Sequence, residues 1–178
     1  MSTHSPFLLR TLQADDTAAL LQFELANREW FERHVAPRGA AFYSHDAVQA
    51  HIDQALAEHR AGRYHPNLLL DRRGAIVGRV NLKDIEAGRA EVGYRIAQQA
   101  AGRGAASAGL AQLIALARAH WGLQTLEALV AEGNPASARV LEKAGFVCVE
   151  RMTALAEIAG VSRNGARYRL ALSAATAD

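Results

Sequence analysis

The chain has 178 residues, of which 50% are hydrophobic, 21% charged and 6% aromatic, and this length and composition predict one globular domain over residues 1–178. Twenty Lys and Arg residues against 18 Asp and Glu residues give a formal net charge of +2, an excess too small for an extended nucleic-acid surface. Cys148 is the single cysteine, which excludes an intrachain disulfide and indicates a reducing compartment. No window approaches the ~18 consecutive apolar residues of a membrane span. We therefore expect a cytoplasmic protein with no membrane and no nucleic-acid partner.

The N-terminal part of the sequence predicts a strand followed by two helices. Residues 7–12 are typical of a short strand, and a capped helical pattern follows residues 15–17. A second helical pattern begins near Ser44 and stops at Gly62. Residues 35–43 show no period and predict a loop.

A meander of strands comes next. Residues 67–82 predict a β-hairpin around a turn at residues 71–74. Residues 91–96 alternate as a third strand, with Val92, Tyr94 and Ile96 on one face. The C-terminal part predicts five further elements and a frayed tail: a helix within residues 104–122, a strand at residues 126–130, a helix at residues 134–145, strands within residues 146–158 and 163–172, and a tail at residues 173–178.

A segment rich in small residues, QQAAGRGAAS at residues 98–107, lies between the third strand and the following helix. Small side chains let successive backbone N–H groups face one ligand, and the helix N-terminus adds partial positive charge, which suits phosphate. A tight strand-to-helix turn in an alanine-rich protein accounts for the glycines equally well. A P-loop is a poor match because no Lys-Ser/Thr pair follows them.

A second segment, Asn134-Pro135-Ala136-Ser137, heads a helix that ends at Gly145-Phe146. As local structure it is a capped helix with a glycine stop. Three segments in order, residues 91–96, Gly102-Arg103-Gly104-x-Ala106, and Asn134-Pro135-x-Ser137 through Glu142-Lys143-Ala144-Gly145-Phe146, resemble the GNAT superfamily of N-acetyltransferases. Within it the chain is most similar to the RimJ/RimL type, which acetylates the N-termini of ribosomal proteins.

The resemblance implies an α/β (α+β) GNAT fold, with a mixed central sheet of about seven strands flanked by about four helices. It also implies acetyl-CoA as cosubstrate. The family's pyrophosphate motif falls on Ala101, Gly102, Arg103, Gly104, Ala105 and Ala106. Ala101 replaces the usual Gln or Arg of its first position, and Gln99 is a partial substitute, so we expect at most weakened cofactor binding.

By the same resemblance, the pantetheine arm runs beside the strand from Tyr94 to Ala97, and Asn134 hydrogen-bonds to it. Backbone N–H groups near Ile96 and Ala97 are then expected to stabilise the oxyanion. Ser137 lies near the sulfur in this alignment and is the candidate that protonates the departing thiolate. Its alternative role is that of a helix-start residue.

Two carboxylates are candidates for the general base, Glu157 on a late strand and, second to it, Glu91. Either acts directly or through water, and either is equally consistent with a solvated surface residue. An α-amine with a pKa near ~8 needs a weaker base than a lysine near ~10.4. Trp30 and Phe31 fall where the family builds its acceptor groove, although core packing explains them as well.

Two further residue types carry no predicted chemistry. Six of the seven histidines lie between His4 and His65, but no pair among them has His-x-x-x-His spacing, so no metal site is predicted. Cys148, on a predicted strand, is interpreted as a small core residue.

The sequence therefore predicts an acetyl-CoA-dependent N-acetyltransferase that modifies a primary amine, with a protein N-terminal α-amine of the ribosomal-protein type first. A small-molecule amine acceptor and a non-catalytic acyl-CoA sensor are the alternatives. A monomer and a homodimer are both compatible with the sequence.

Overall fold

The computed structural model describes residues 5–172; the predicted tail at residues 173–178 lies outside them. Seven strands form one sheet in the order β1-β2-β3-β4-β5-β7-β6. The β4–β5 pair is parallel and every other pair is antiparallel, which confirms the predicted mixed seven-stranded sheet. The strands are β1 Leu8–Thr11, β2 Asn67–Leu70, β3 Ile76–Glu86, β4 Arg89–Ile96, β5 Thr125–Ala131, β6 Val147–Ile158 and β7 Val161–Ala171.

Five α-helices flank the sheet: α1 Thr17–Ala26, α2 Arg28–Glu32, α3 His45–Arg60, α4 Ala105–Ala119 and α5 Pro135–Lys143. The short helix α2 is one more than predicted. It is separated from α1 by the buried Asn27, whose amide Nδ2 donates to Phe23 O at 2.9 Å. Asn27 Oδ1 accepts from Gln98 N at 3.1 Å, which ties the α1–α2 junction to the end of β4. Apolar periodicity alone does not reveal such a long-range anchor.

Each face of the sheet carries its own hydrophobic cluster. On one face, Leu20 of α1 and Ile52 of α3 pack with Leu68 of β2, and all three are fully buried. On the other face, Leu110 and Leu113 of α4 pack among residues of β3, β4 and β5. Because α1 and α3 lie opposite α4 and α5, side chains that alternate along a strand face two different environments.

The sheet opens between its two parallel strands. Pairing of β4 with β5 stops at Val92 and Ala128, although β4 continues along β3 to Ile96 and β5 continues along β7 to Ala131. Beyond Val92, alternation puts Tyr94 and Ile96 on the α4 face, as predicted. It puts Arg95 on the face of α1, where it meets Glu24. The gap is therefore reached from both faces.

The C-terminal hairpin turns at Ala159 and Gly160, both with positive φ, as expected for a two-residue hairpin loop. Its first strand, β6, is the edge strand of the sheet. Cys148 on β6 is exposed, so its interpretation as a core residue is wrong. The sequence predicts the strand but not its edge position, and most β6 side chains are exposed on both faces. No helix within residues 5–172 is long and apolar enough to span a bilayer.

Candidate active site

Two cavities meet at the gap between β4 and β5. The glycine-loop cavity, about 460 Å³, lies on the α4 face and is lined by residues 100–102 and 104–107 with parts of α2, β4 and α5. The arginine cavity, about 500 Å³, is lined by Arg38, Arg79 and Arg95 with parts of β3, β5 and β6, and it extends through the gap to α5. Six residues line both: His34, Val35, Tyr94, Arg95, Asn134 and Ser137. These six form the junction.

Unpaired backbone amides concentrate at the glycine loop. Gly102 and Gly104 have φ values of +71° and +82°, and a Cβ at either position would project into open space. Left-handed backbone favours glycine and here directs the chain into α4, whose N-cap Gly104 makes no side-chain capping bond. Five N–H groups of this loop and the first turn of α4 donate no hydrogen bond to any described residue: those of Gly102, Gly104, Ala105, Ala106 and Ser107. This set suits a phosphate.

Other predicted cofactor residues have their amides engaged. Ala101 N donates to Ala97 O at 3.0 Å, and Arg103 N donates to Ala100 O at 3.3 Å. The Arg103 side chain is exposed and is not among those lining the cavity. These bonds form the turn that shapes the loop, so the backbone N–H groups of Ala101 and Arg103 are not free for a ligand.

The two residues predicted to stabilise the oxyanion, Ile96 and Ala97, differ in where their backbone groups point. Ala97 N donates to Val77 O at 2.9 Å and the residue is fully buried, so the expectation that its N–H stabilises an oxyanion is wrong. Neighbouring residues in an antiparallel ladder point their backbone groups in opposite directions. Ile96 accordingly faces the gap, where its carbonyl accepts from Trp30 Nε1 at 3.0 Å.

The aromatic pair of α2 belongs to the cofactor side. Trp30 and Phe31 line the glycine-loop cavity, while Phe31 is also a buried member of the cluster under α1. Neither is among the residues lining the arginine cavity. Both therefore combine a packing role with a cavity wall, whereas the resemblance pointed to an acceptor groove.

Tyr94 and Ser137 form a hydroxyl pair at the junction. Tyr94 OH lies 2.7 Å from Ser137 Oγ and 3.2 Å from Ser137 O. Burial raises the pKa of Tyr94, opposed by its bond to Ser137, so the phenol stays protonated at neutral pH. Asn134 Oδ1 caps α5 by accepting from Ser137 N at 3.2 Å. The helix start uses the backbone of Ser137 and leaves its hydroxyl to the junction.

A buried ion cluster forms the floor of the arginine cavity. Glu24 of α1 is fully buried, and its carboxylate lies 2.9 Å from Arg79, 3.4 Å from Arg38 and 3.7 Å from Arg95. Arg79 and Arg95 are direct partners in the β3–β4 ladder, where like charges repel. Glu24 compensates for that repulsion, and the cluster retains an excess of positive charge.

Two neighbouring groups respond to this excess. Burial lowers the pKa of Arg38 to about 10 against the attraction of Glu24, and repulsion from Arg79 and Arg95 adds to the lowering. Burial and the charges of Arg79 and Arg38 lower the pKa of His51 to about 4. His51 is therefore neutral at pH 7, and its Nε2 accepts from Arg79 at 2.8 Å.

The two predicted bases occupy different surroundings. Glu91 lines the arginine cavity and accepts from Lys83 Nζ at 2.8 Å; the Lys83 side chain crosses over Gly93, where a Cβ would collide with it. Glu157 is exposed and is not among the residues lining either cavity. The structure thus brings Glu91, but not Glu157, to the arginine cavity.

Sequence reasoning missed two groups here. His34 is at the junction, packs edge-on to Trp30 at 4.7 Å between ring centroids, and has a buried Nε2 without a hydrogen-bond partner in the described chain. Lys143 of α5 lines the glycine-loop cavity. His34 lies in a loop that no local motif marks. Lys143 lies within the segment Glu142-Lys143-Ala144-Gly145-Phe146, but as a local pattern that segment indicates the end of a helix and not a cavity wall. Among residues 5–172, no three His, Cys, Asp or Glu side chains converge as a metal site.

An open mixed sheet, split between parallel strands, places an amide-rich glycine loop and a second cavity side by side, the arrangement that a two-substrate group-transfer enzyme needs. Residues 7–147 match the family model described as an acetyltransferase (GNAT) domain. The chain therefore belongs to the GNAT acetyltransferase family. No curated protein sequence matches it.

Solved structures share the fold at low sequence identity. The ribosomal-protein-S5-alanine acetyltransferase of Vibrio fischeri has a TM-score of 0.89 at 19% identity, covering 94% of this chain and 93% of that one. RimJ of Mycobacterium smegmatis, in complex with CoA-disulfide, has 0.86 at 24%, covering 93% and 81%. Spermidine N-acetyltransferase of Vibrio cholerae, with CoA and spermine, has 0.79 at 20%, covering 94% and 96%. The neighbours support the fold and leave the acceptor open.

Acetyl-CoA, the acetyl donor of this family, fits the glycine-loop cavity. Free amides at the N-terminus of α4 match its phosphates, and Lys143 adds a cation to the lining of the cavity. Ala101 contributes no side-chain donor, but the loop retains its backbone donors, so the departure from the family motif leaves the cradle intact.

Proposed function

We propose that this acetyltransferase modifies a primary amine, in particular the α-amine of a protein N-terminus such as that of a ribosomal protein. The observation that carries this proposal is the junction itself. Tyr94 and Ser137 lie where the two cavities meet, so an amine entering from the arginine cavity reaches a donor held in the other. Direct attack then needs no covalent enzyme intermediate.

Acetyl-CoA supplies the acetyl thioester when bound. The amides of Gly102, Gly104, Ala105 and Ala106 bind its phosphates. Asn134 and the gap-facing edge of β4, at Tyr94 and Ile96, orient its arm, and Ala101 and Arg103 shape the loop. Ala97 supports the strand through its bond to Val77.

Ser137 is the proposed proton donor to the leaving group, and Tyr94 is the group that reloads it. Support comes from the 2.7 Å separation of their oxygens and from the raised pKa of Tyr94, whose main cause is burial. A phenol that stays protonated can pass its proton through Oγ of Ser137 as negative charge develops nearby.

An α-amine also suits the charge of the acceptor side. Positive charge lowers the pKa of a bound ammonium group, so an amine with a pKa near ~8 loses its proton more readily than a lysine near ~10.4. Glu91 and His34 are the nearer candidates to take that proton, directly or through water, because both line the arginine cavity. Glu157 requires a bridging water.

We further propose that residues 1–178 act as one cytoplasmic domain, as a monomer or a homodimer. The single sheet supports the domain assignment, and the single cysteine supports a reducing compartment. A small-molecule amine remains the alternative acceptor.

Thiol release from acetyl-CoA tests the proposal. The acceptors are a lysine-free peptide with a free N-terminus, the same peptide with a blocked N-terminus, a blocked peptide containing lysine, and spermidine. We expect release with the first peptide alone. Release with spermidine alone would replace the N-terminal acceptor by a small-molecule amine, and no release with any amine would contradict the proposal.

A further inference from the structure

Positive charge in the arginine cavity exceeds what its carboxylates neutralise. Three guanidinium groups face the single carboxylate of Glu24 within 4 Å, which leaves two positive charges. Lys83 and Glu91 neutralise each other at 2.8 Å, and His51 is neutral at pH 7 because its pKa is lowered to about 4 by burial and by Arg79 and Arg38. The excess therefore belongs to the arginines.

The same arginines have unused hydrogen-bond donors. The Nε atoms of Arg38 and Arg79 are buried and have no partner in the described part of the chain, although a guanidinium carries five N–H donors. The Arg79 side chain is only 3% exposed. Buried polar groups are normally satisfied, but these two Nε atoms are closed to solvent, and Glu24 Oε2 is buried without a hydrogen-bond partner as well. An anion can therefore meet only the accessible parts of the guanidinium groups, where the surplus charge reaches the cavity.

Two of the three guanidinium groups are accessible and held in place. The side chains of Arg38 and Arg95 are 20% and 21% exposed. Arg38 lies over the Phe42 ring at 4.4 Å, and Arg95 over the Phe31 ring at 5.5 Å. Aromatic contacts of this kind orient a guanidinium before a ligand arrives.

Arg95 also connects the charge to the chemistry. It is one of the six junction residues, next along β4 to Tyr94. One acceptor molecule can therefore place its amine at the junction and an anionic group on Arg95, provided that only a few bonds separate the two groups.

We propose that the arginine cavity selects acceptors that carry a carboxylate close to the reacting amine, bound by Arg38 and Arg95. This inference rests on the proposed function and names its substrate class. Planar carboxylates match the guanidinium fork in a bidentate manner. An acidic residue at the second position of a protein N-terminus supplies such a group, and so does a free amino-dicarboxylate.

A neighbouring depression makes polyamines the necessary counter-test. It is lined by Glu58, Asp84 and Glu86 with Arg63 and Lys83, so its lining carries one excess negative charge. It adjoins the arginine cavity through His51, Tyr64 and Lys83. A long polycation has a favourable site there, whereas its amine would still have to enter the positive field of the arginines.

The experiment compares four acceptors by thiol release at low salt: lysine-free peptides beginning Ser-Asp and Ser-Asn, free aspartate, and spermidine. We expect KM for the Ser-Asp peptide to be about ten-fold lower than for Ser-Asn, with the ratio falling as salt screens the charges. If free aspartate is preferred over both peptides, selection of a carboxylate is supported and the acceptor is a small molecule.

Variants connect the preference to the cavity. Arg38→Gln is expected to bring the Ser-Asp to Ser-Asn ratio close to one, and Arg38→Lys to keep part of it. Arg33→Gln is the control, because Arg33 is exposed and lines neither cavity. Thermal shift with acetyl-CoA verifies that each variant is folded and binds its donor.

The outcomes separate the two proposals. Equal KM values for Ser-Asp and Ser-Asn, or a ratio unchanged by Arg38→Gln in a folded variant, overturn the carboxylate proposal while leaving the amine acetyltransferase proposal intact. Preferential acetylation of spermidine overturns the carboxylate and the N-terminal acceptor together. No release with any acceptor overturns the proposed function itself.

Discussion

The two cavities are built from different materials. The glycine-loop cavity uses backbone amides from one continuous segment, residues 100–107, and its glycines admit the ligand. The arginine cavity uses long charged side chains from α1, the loop after α2, β3 and β4, held around the buried carboxylate of Glu24. The backbone site tolerates side-chain change, whereas the side-chain site depends on each of its charges.

The largest expected effect follows from Glu24. Glu24→Gln removes the only negative charge among three closely spaced arginines and leaves them uncompensated in a buried site. Because breaking a buried ion pair is strongly destabilising, we expect the free energy of unfolding to fall by about 3–5 kcal/mol in urea denaturation.

Glu29→Gln is the matched control, since Glu29 on α2 is exposed, and we expect a change within about 0.5 kcal/mol. If the free energy of unfolding changes little in both variants, the arginine cavity does not depend on the buried charge of Glu24. The proposed contrast between the two cavities would then be wrong.

Ser137→Ala addresses the junction. The backbone N–H that Asn134 caps is retained in this variant, so the start of α5 is preserved and only the hydroxyl is lost. Loss of a positioned proton donor lowers kcat by about 100-fold, with little change in either KM. Ser162→Ala, in exposed β7, is the control, and an unchanged kcat for Ser137→Ala would eliminate the acid role.

We expect low pH to destabilise the protein through His51 of the arginine cavity. His51 takes up a proton near 6.5 in the unfolded chain but near 4 in the folded one, so the unfolded state binds more protons between these values. Stability therefore falls as pH is lowered through this window, by about 2 kcal/mol from this group between pH 7 and pH 5.

In His51→Gln this part of the pH dependence should disappear from urea denaturation curves, because the amide does not titrate. His45→Gln is the comparison, since the side chain of His45 is 65% exposed. An identical pH slope in His51→Gln and the unmodified protein would mean that burial and the neighbouring arginines do not hold His51 neutral.

The smallest expected effect is at the glycine loop. Gly104→Ala places a Cβ on a residue with φ +82°, and the left-handed conformation costs an L-residue about 1–2 kcal/mol. A loop that relaxes from this conformation misaligns its amides, so KM for acetyl-CoA should rise about ten-fold with KM for the amine unchanged.

Gly74→Ala is the control, because it introduces the same backbone strain outside the glycine loop. Gly74, in the β2–β3 turn, has φ +79° and equally open surroundings. A similar rise in acetyl-CoA KM for both variants would indicate a general loss of stability. Such a result would contradict a specific backbone role for the loop.

The contrast between the cavities also explains what the sequence predicts. Capping at Ser44 and Asn134 and the spacing of Leu110 and Leu113 are local patterns, and the helices they predict are present. The glycine loop is equally local, because it comes from one continuous segment. The motif order of the family supplies the seven-stranded sheet around them.

The residues around the arginine cavity, in contrast, come from distant parts of the sequence. Glu24 and Arg79 are 55 residues apart in sequence, and Glu24 in a helical pattern resembles any surface glutamate until the fold buries it. The same holds for His34, which reaches the junction through a turn after α2 that no periodicity marks. Cys148 shows the reverse error, since strand patterning does not distinguish an edge strand from a central one.

The six residues common to both cavities have a further consequence for kinetics. Because both ligands contact these residues, a shift of the residues on binding one ligand changes the affinity for the other. Thermodynamic linkage requires this effect on affinity to be reciprocal. Trp30 Nε1 donates to Ile96 O at 3.0 Å and so joins α2, whose Phe31 ring contacts Arg95, to the edge of β4 that faces the gap. Donor and acceptor should therefore bind as a coupled pair, each tightening or loosening the other by the same factor.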